Sequence, residues 1–239
     1  FGRNSEGKAM NSLIQQDSML IGSAEAVAEL ENRQHARLLV ISDSHGAIDI
    51  VKHIILQCGA DSDALVFCGD GFCDIAACIE EAADDDKLKD ALPPVIAAVR
   101  GNGDADTYPI TVKEDEERTF DAHRKLTAPQ WLRFSAAGRT VFVAHGHKHG
   151  VDLGTETLSS SAYTMDADLV FFGHTHRLFW EEHDGTLILN PGSCVNPRDR
   201  FPPSFAVVSF PGGRERFHIE FFEIREGLFG AIDILPLAL

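Results

Sequence analysis

Short apolar runs recur along much of the chain, and each of them predicts a strand. Five of them occupy residues 38–42, 64–68, 95–99, 140–144 and 168–172. Each has the length and composition of a strand that is buried on both faces. Between the first two runs, apolar residues recur at three- and four-residue steps over residues 50–58 and stop at Gly59, which predicts a helix that ends there. This alternation of strand and helix is typical of βαβ units.

The pattern changes in the last third of the chain. Residues 186–189, 205–210 and 217–224 are predicted strands joined by short glycine-containing turns, which favours antiparallel pairing. Further helices are predicted over residues 23–31, over residues 74–85 and from residue 159. The charged residues 111–118 are expected to form an exposed loop or a helix end. One mixed α/β domain with two sheets accounts for both halves.

The domain boundary is expected near the first strand. We interpret residues 1–36 as an N-terminal extension and residues 37–239 as a single domain. The first ten residues do not begin with Met and could derive in part from an expression vector. A helix packed on the domain, a dimer contact and disorder all stay open for the extension.

Composition narrows the class of protein. Hydrophobic residues make up 44% of the 239, enough for a sizeable core. Lys and Arg total 21 against 37 Asp and Glu, a net charge of −16 that would repel long nucleic acids. No apolar stretch reaches the length of a membrane span, and no signal peptide is recognisable. The sequence therefore predicts a cytoplasmic protein without a membrane partner.

The cysteines and the aromatic residues add two further expectations. The five cysteines are odd in number, lie mostly in apolar runs and form no C-x₂-C pair, so we expect buried, reduced thiols rather than a zinc ribbon. The Phe-rich residues 217–222 suit a homo-oligomer interface as well as a core. Oligomeric state is thus open.

Side chains of the metal-binding type follow all five apolar runs. The motifs are Asp43-Ser44-His45, Gly69-Asp70, Gly101-Asn102, His145-Gly146-His147 and Gly173-His174-Thr175-His176. Each motif alone has an ordinary explanation as a cap, a turn or a surface histidine tract. Because ligands collect outside the carboxyl ends of strands in α/β sheets, five motifs at equivalent positions predict one common site.

The donor set indicates the kind of metal and substrate. Mixed nitrogen and oxygen ligands suit Mn first, with Fe, Ni or Zn as alternatives, better than they suit Ca. Two divalent ions about 3.5–4 Å apart can clamp the attacking and leaving oxygens of a phosphoryl transfer. Asp70 has two oxygens with which to bridge them. The ions would exceed the charge of Asp43, Asp70 and a bridging hydroxide by about one positive unit, which attracts phosphate.

The series D-x-H, G-D, G-N, H and G-H-x-H resembles the signature of the calcineurin-like metallophosphoesterase superfamily. Asn190-Pro191-Gly192-Ser193 is similar to a segment of its small bacterial and archaeal phosphodiesterase branch. The resemblance extends from Leu38 to Ile224. It implies an α/β fold, a four-layer α-β-β-α sandwich of two mixed sheets flanked by helices, with a dinuclear metal site at one edge.

The resemblance also implies a ligand set. One metal would take Asp43, His45, Asp70 and His176, and the other would take Asp70, Asn102, His145 and His174. A hydroxide that bridges the two metals would attack phosphorus in line. His147, beside a ligand, could orient phosphate or a ligand, or could be structural.

One position departs from the family pattern. Many relatives carry G-N-H-[DE], whose His helps to protonate the leaving group, but this chain has Gly103 there. Asp104 is retained and could orient a ligand imidazole. Without that His, good leaving groups should be favoured, or His147 or solvent must supply the proton.

The resemblance implies a metal-dependent hydrolase, a phosphodiesterase acting on a small soluble phosphate ester. One alternative is a non-catalytic scaffold, like the retromer subunit that resembles these enzymes. All seven ligand positions are intact here, which argues for catalysis. A phosphomonoesterase or protein phosphatase is the other alternative, although protein phosphatases usually carry G-N-H-E.

Overall fold

The computed structural model of the chain describes residues 13–112, 122–213, 216–227 and 230–239. The helices are α1 (Ala24–Asn32), α2 (Ile48–Cys58), α3 (Phe72–Glu81), α4 (Asp86–Ala91) and α5 (Glu156–Thr164). The first seven strands are β1 (Ile21–Gly22), β2 (His35–Ile41), β3 (Ala64–Phe67), β4 (Val95–Ala98), β5 (Thr107–Val112), β6 (Ala122–Thr127) and β7 (Trp131–Ala136). The other seven are β8 (Arg139–Ala144), β9 (Leu169–Phe171), β10 (Leu178–His183), β11 (Thr186–Pro191), β12 (Ser204–Pro211), β13 (His218–Glu226) and β14 (Ile232–Pro236).

Two mixed sheets carry the domain. The seven-stranded sheet has the order β1-β4-β3-β2-β12-β13-β14, in which β2, β3 and β4 are parallel and the remaining pairings are antiparallel. The five-stranded sheet has the order β10-β11-β9-β8-β7, with β8, β9 and β11 parallel between two antiparallel edge strands. Strands β5 and β6 form a separate hairpin.

Alternation along the strands produces four layers. In β2, Leu39 and Ile41 face one core with α2, α3 and α4, whereas Leu38 and Val40 face a second core shared with the five-stranded sheet. The far side of the five-stranded sheet packs on α5, where Leu158 is fully buried. Because strand side chains alternate between faces, one apolar run can serve two cores. The predicted α-β-β-α sandwich is therefore confirmed.

The five predicted strands are present as β2, β3, β4, β8 and β9. Three lie in one sheet and two lie in the other. All of them are parallel to a neighbour from the same group, so within each sheet their carboxyl ends lie at one edge. The polar motifs that follow these strands thus come from two sheets, rather than from one.

The structure differs from the prediction at the end of helix α3 and at Thr111 and Val112. Helix α3 ends at Glu81 instead of residue 85, because the Asp85 side chain accepts hydrogen bonds from the backbone N–H groups of Lys87 and Leu88 and begins α4. Of the charged segment 111–118, Thr111 and Val112 end strand β5, and the rest lies outside the described residues.

Part of the N-terminal extension is packed on the domain. Strand β1 pairs antiparallel with β4, and Leu20 and Ile21 are buried. The helix predicted over residues 23–31 is observed as α1, capped by the Ser23 side chain. Residues 1–12 lie outside the described residues, so their origin and the boundary at residue 36 stay predictions. In the described ranges, no helix combines the length and apolar composition that crossing a membrane requires.

Candidate metal centre

Five of the proposed ligand residues have a backbone conformation that residues other than glycine rarely adopt. They share positive φ angles of 47–69°, at Asp43, His45, Asp70, His174 and His176. Residues other than glycine are uncommon in this left-handed region, and such strain clusters at functional sites. Each of these residues lies within five positions of a strand end, where the conformation turns the chain sharply.

Backbone hydrogen bonds lock the turns together. The N–H groups of Asp43 and His45 donate to the carbonyl oxygens of Gly69 and Asp70, at 2.9 and 3.0 Å. The N–H of Gly173 donates to the His145 carbonyl at 3.0 Å, which joins the two turns of the five-stranded sheet. The ligand-bearing turns of each sheet therefore form one network rather than independent loops.

The two sheets are joined at Asp43. Its Oδ2 accepts hydrogen bonds from the Ser42 hydroxyl at 2.6 Å and from the His174 backbone N–H at 3.2 Å. The Cα of Gly173 approaches so closely that a side chain there would overlap Ser42 Oγ, which explains the glycine. Asp43 Oδ2 is thus satisfied by the protein, while Oδ1 of the same carboxylate has no hydrogen-bond partner among the residues that the structure describes.

Two groups of side chains have the spacing of metal ligands. In the first group, Nε2 of His176 lies 3.3 Å from Asp43 Oδ1 and 3.0 Å from Nε2 of His45. In the second group, Nε2 of His145 lies 3.5 Å from Asp70 Oδ2 and 4.0 Å from Asp43 Oδ1. Asp43 belongs to both groups. Within each group the ligand atoms lie within 4.8 Å of one another.

Unpartnered buried atoms indicate that a cation fits. Asp43 Oδ1 and His145 Nε2 are buried, and neither has a hydrogen-bond partner in the described part of the chain. An uncompensated buried carboxylate oxygen is costly, and buried polar atoms are nearly always paired. A divalent ion between these atoms would compensate both, so the donor set fits a metal.

The outer nitrogens of two imidazoles are fixed by carbonyl groups. Nδ1 of His145 lies 2.8 Å from the Cys68 carbonyl, and Nδ1 of His176 lies 2.7 Å from the Asn196 carbonyl. A carbonyl only accepts, so each Nδ1 carries a proton. In the neutral ring, Nε2 then presents its lone pair to the centre, as a metal ligand requires.

Charge coupling shifts the pKa values inside the centre. Burial lowers the pKa of His145, but Asp70 and Asp43 beside it raise that pKa by more, and Asp43 likewise raises the pKa of His176 above its ordinary value despite burial. Burial raises the pKa of Asp70, but the contact with His145 and the hydrogen bond from the Gly103 N–H lower this pKa by more. The net pKa of Asp70 therefore lies below its usual range. Without metal, each of these two imidazoles therefore holds a proton more tightly than a free imidazole does.

Comparison with known proteins decides the family. Residues 37–212 match the model of the calcineurin-like phosphoesterase superfamily domain. The chain belongs to this superfamily. It is 29% identical to the probable metallophosphoesterase YsnB of Bacillus subtilis over 172 residues, 72% of this chain and 83% of that protein. It is 27% identical to phosphodiesterase YfcE of Escherichia coli over 178 residues, 72% of this chain and 86% of that protein.

Solved structures share the fold of this phosphoesterase chain. A predicted phosphoesterase from Streptococcus pneumoniae superposes with a TM-score of 0.58 at 22% identity, covering 86% of this chain and 99% of the other. Vacuolar protein sorting 29 from Cryptosporidium parvum gives a TM-score of 0.57 at 19% identity, covering 86% and 98%. Family and candidate ligand groups together suggest that the chain binds divalent metal.

Asp104 has a different contact from the one expected. Its carboxylate accepts hydrogen bonds from the backbone N–H groups of Asp70, Gly71, Phe72 and Gly101, at 2.8–3.0 Å. Among the described residues it contacts no imidazole. The carboxylate thus holds the two turns that carry Asp70 and Asn102, and an orienting effect of Asp104 on a ligand imidazole stays a prediction.

The remaining predicted residues lie at the rim of the centre. Asn102 is exposed, between Gly101 and Gly103, whose backbones both contact Asp70. The His147 ring lies 5.4 Å from that of His145, and its buried Nδ1 has no hydrogen-bond partner in the described ranges. Burial and the neighbouring His145 lower the pKa of His147, so this imidazole is mostly neutral near pH 7.

Sequence reasoning missed two carboxylates next to the centre. Asp74 in the first turn of α3 is buried and accepts hydrogen bonds from the Ser44 hydroxyl at 2.5 Å and the Gly46 N–H at 3.0 Å, which fixes the turn with His45. Asp152 lies 2.9 Å from Nε2 of His174. A charged residue in the buried stripe of a helix could have revealed Asp74, but nothing in the sequence marks Asp152.

Proposed function

We propose that the chain is a phosphodiesterase that uses two divalent ions, Mn foremost, to hydrolyse a small soluble phosphate ester. The observation that carries this proposal is Oδ1 of Asp43, which belongs to both ligand groups and has no hydrogen-bond partner within the described ranges. The family and the phosphodiesterase name of the YfcE relative support the reaction class.

The chain prepares its ligand atoms before any ion arrives. Each carboxylate has one oxygen held by the protein: Oδ2 of Asp43 by Ser42, and Oδ1 of Asp70 by the Gly103 N–H at 2.7 Å. The other oxygen of each then faces the imidazoles. When bound, divalent ions supply an activated water and stabilise the charge that develops on phosphate. Preset ligands spare the reorganisation that a flexible site would require.

The proposed ligand assignment is the one that the resemblance to the superfamily implies. We assign Asp43, His45, Asp70 and His176 to one ion and Asp70, Asn102, His145 and His174 to the other. The contacts support the first set through the Asp43–His45–His176 group and the second through the Asp70–His145 pair. Asp43 belongs to both contact groups, so its carboxylate, like that of Asp70, would supply negative charge to the ions when they are bound.

Charge favours a small substrate. The chain carries −16 overall, so a long polyanion would be repelled by the surface around the centre. A single phosphate diester would instead feel mainly the local positive charge of two ions. We therefore propose small soluble esters as substrates, with long nucleic acids and membranes excluded as partners.

Leaving-group chemistry is the specific weakness of this centre. Position 103 offers only a backbone N–H, which is used to hold Asp70. His147 is the neutral imidazole near the ligands and could orient phosphate, but a mostly unprotonated ring is a poor proton source. Esters with acidic leaving groups should be the best substrates.

Comparing Asp70→Asn with wild type tests the proposal. With Mn²⁺ added to metal-stripped protein, wild type should hydrolyse bis(p-nitrophenyl) phosphate, and Asp70→Asn should lose this activity. Asp184→Asn, at the exposed β10–β11 turn, removes the same charge and should stay active. Equal metal-dependent rates for Asp70→Asn and wild type would overturn the proposal.

A non-catalytic scaffold is the second candidate. Leu153, just before α5, is 96% exposed and Tyr163, within α5, is 87% exposed, so a bound protein could cover these side chains. The test above separates the two candidates, since a scaffold would hydrolyse no ester in either variant.

The cysteines support a reducing compartment such as the cytoplasm. All five are free, and burial is the main cause that raises the pKa of each, to about 12 for Cys78. High pKa values keep these thiols protonated, which makes them poor nucleophiles.

A further inference from the structure

Three imidazoles of the centre have one ring nitrogen held by a group outside it. For His145 and His176 that group is a backbone carbonyl, and the held nitrogen is Nδ1. For His174 the group is the Asp152 carboxylate, and the held nitrogen is Nε2, at 2.9 Å. His145 and His176 thus keep Nε2 for a metal, whereas His174 keeps Nδ1.

The fold places Asp152 at this position. Val151 is 7% exposed and packs in the core beneath α5. It also fills the space beside Gly146, where an added Cβ would lie 2.7 Å from a Val151 methyl group. Gly150 has a φ of 65°, and the Leu153 N–H donates to its carbonyl at 2.9 Å, which closes a turn around Asp152. The buried Val151 and the turn from Gly150 to Leu153 thus hold the Asp152 carboxylate, in the loop after β8, beside His174, which follows β9.

The backbone of His174 is fixed independently of its ring. Its N–H donates to Asp43 Oδ2, and its φ of 69° sets the turn. The ring centroid lies 5.1 Å from that of His145, on the side of the second ligand group. What the backbone does not fix is rotation of the ring about Cβ–Cγ, which would move Nδ1 to the place of Cδ2 and Nε2 to the place of Cε1. The contact between Nε2 and Asp152 restricts this rotation.

We propose that Asp152 is a positioning residue of the metal centre, which holds His174 with Nδ1 toward the second ion. The proposal rests on the proposed dinuclear function. A carboxylate partner also makes the imidazole a stronger donor than a carbonyl partner does, because it stabilises positive charge on the ring. The more basic His174 would thereby strengthen metal binding at the second site, where the neutral ligand Asn102 supplies no negative charge.

The exposure of the pair limits the size of the effect. The Asp152 side chain is 62% exposed and that of His174 is 21% exposed, so solvent screens their attraction. Removal of such an outer partner costs 10–100-fold in metal affinity in known sites, and the exposed geometry argues for about tenfold here.

Titration of the metal-stripped full chain with Mn²⁺ by calorimetry tests the proposal. Asp152→Ala should weaken one of two binding steps about tenfold and leave the other unchanged. Asp152→Asn, which keeps an acceptor oxygen, should lose less. Asp184→Asn is the matched control, since Asp184 lies 3.3 Å from His183 in an equally simple but fully exposed pair. That control should bind both ions as wild type does.

Nitrogen NMR of the Zn²⁺-loaded protein gives a second readout. In wild type, Nε2 of His174 should carry the proton, and this signature should be lost or shifted in Asp152→Ala. Unchanged binding steps in Asp152→Ala, or equal weakening of both together with a lower Tm, would overturn the positioning role while the dinuclear function stands. If wild type itself binds no ion, both proposals fail.

Discussion

Nε2 of His145 lies 4.0 Å from Oδ1 of Asp43, and both buried atoms are without a hydrogen-bond partner in the described part of the chain. The remaining atoms of these two groups are held by Cys68, Ser42 and the His174 backbone. Because the other polar atoms of these two side chains already have partners, a cation is expected to bind between His145 Nε2 and Asp43 Oδ1.

Metal should therefore stabilise the folded chain. A free Mn²⁺ concentration one hundredfold above the dissociation constant should add about 2.7 kcal/mol to the free energy of unfolding, because the unfolded chain lacks the site. Denaturant titration with and without Mn²⁺ measures this gain. Asp43→Asn should lose most of it, and Asp184→Asn should retain it. An equal gain in Asp43→Asn would place the metal elsewhere.

The metal-free protein should be most stable in mildly acidic solution. The raised pKa values of His145 and His176 contribute stability that is complete below the unfolded value of about 6.5 and is lost as pH rises through the folded values. The lowered pKa of Asp70 contributes stability that is present above its unfolded value of about 3.9 and is lost as pH falls through the folded value.

Protons and metal should then have opposite pH preferences. Binding requires unprotonated imidazoles, so Mn²⁺ affinity should rise with pH across the range in which the metal-free protein loses stability. Calorimetry at pH 5.5 and 8, in buffers of different ionisation enthalpy, measures the protons released. Release of no protons at pH 5.5 would be incompatible with ligands at His145 and His176.

Position 103 offers a test of leaving-group protonation. An added Cβ at Gly103 would lie 3.3 Å from Asp70 Oδ1, a tight but tolerable contact, and the backbone φ lies outside the left-handed region. Gly103→His should raise the rate on phenyl esters relative to p-nitrophenyl esters, by up to roughly 10² if the imidazole acts as a general acid. Gly103→Ala is the control for packing. If both variants change the two esters alike, the proton comes from elsewhere.

Asp104 should matter for stability as well as for metal. Its carboxylate accepts from four backbone N–H groups, and each one left unsatisfied after truncation costs roughly 1–3 kcal/mol if it stays buried. Asp104→Ala should therefore lower the free energy of unfolding clearly in the absence of metal, and Asp104→Asn should lower it less. Urea denaturation checks both. An unchanged midpoint for Asp104→Ala would mean that solvent replaces these contacts.

The elements and motifs that depend on local pattern could be predicted from the sequence. Apolar runs before Asp43, Asp70 and His145 identify buried strands, and strand ends in α/β folds identify a site. The ligand set itself came from the resemblance to the superfamily, not from spacing alone.

What depends on contacts between distant segments could not be predicted. Asp104 is three residues from Gly101 but 34 from Asp70, and only the folded turns show that it holds both. Asp152 reaches His174 across 22 residues from an exposed loop without periodicity. Helix α4 was missed because Asp85 reads equally well as a solvated charge and as a helix cap.

The most direct test of the central claim is the rate of bis(p-nitrophenyl) phosphate hydrolysis as metal-stripped protein is titrated with Mn²⁺. The proposed dinuclear centre predicts a rate near zero without metal that rises and saturates at two ions per chain. A rate that stays at the background of buffer and Mn²⁺ throughout the titration would contradict it.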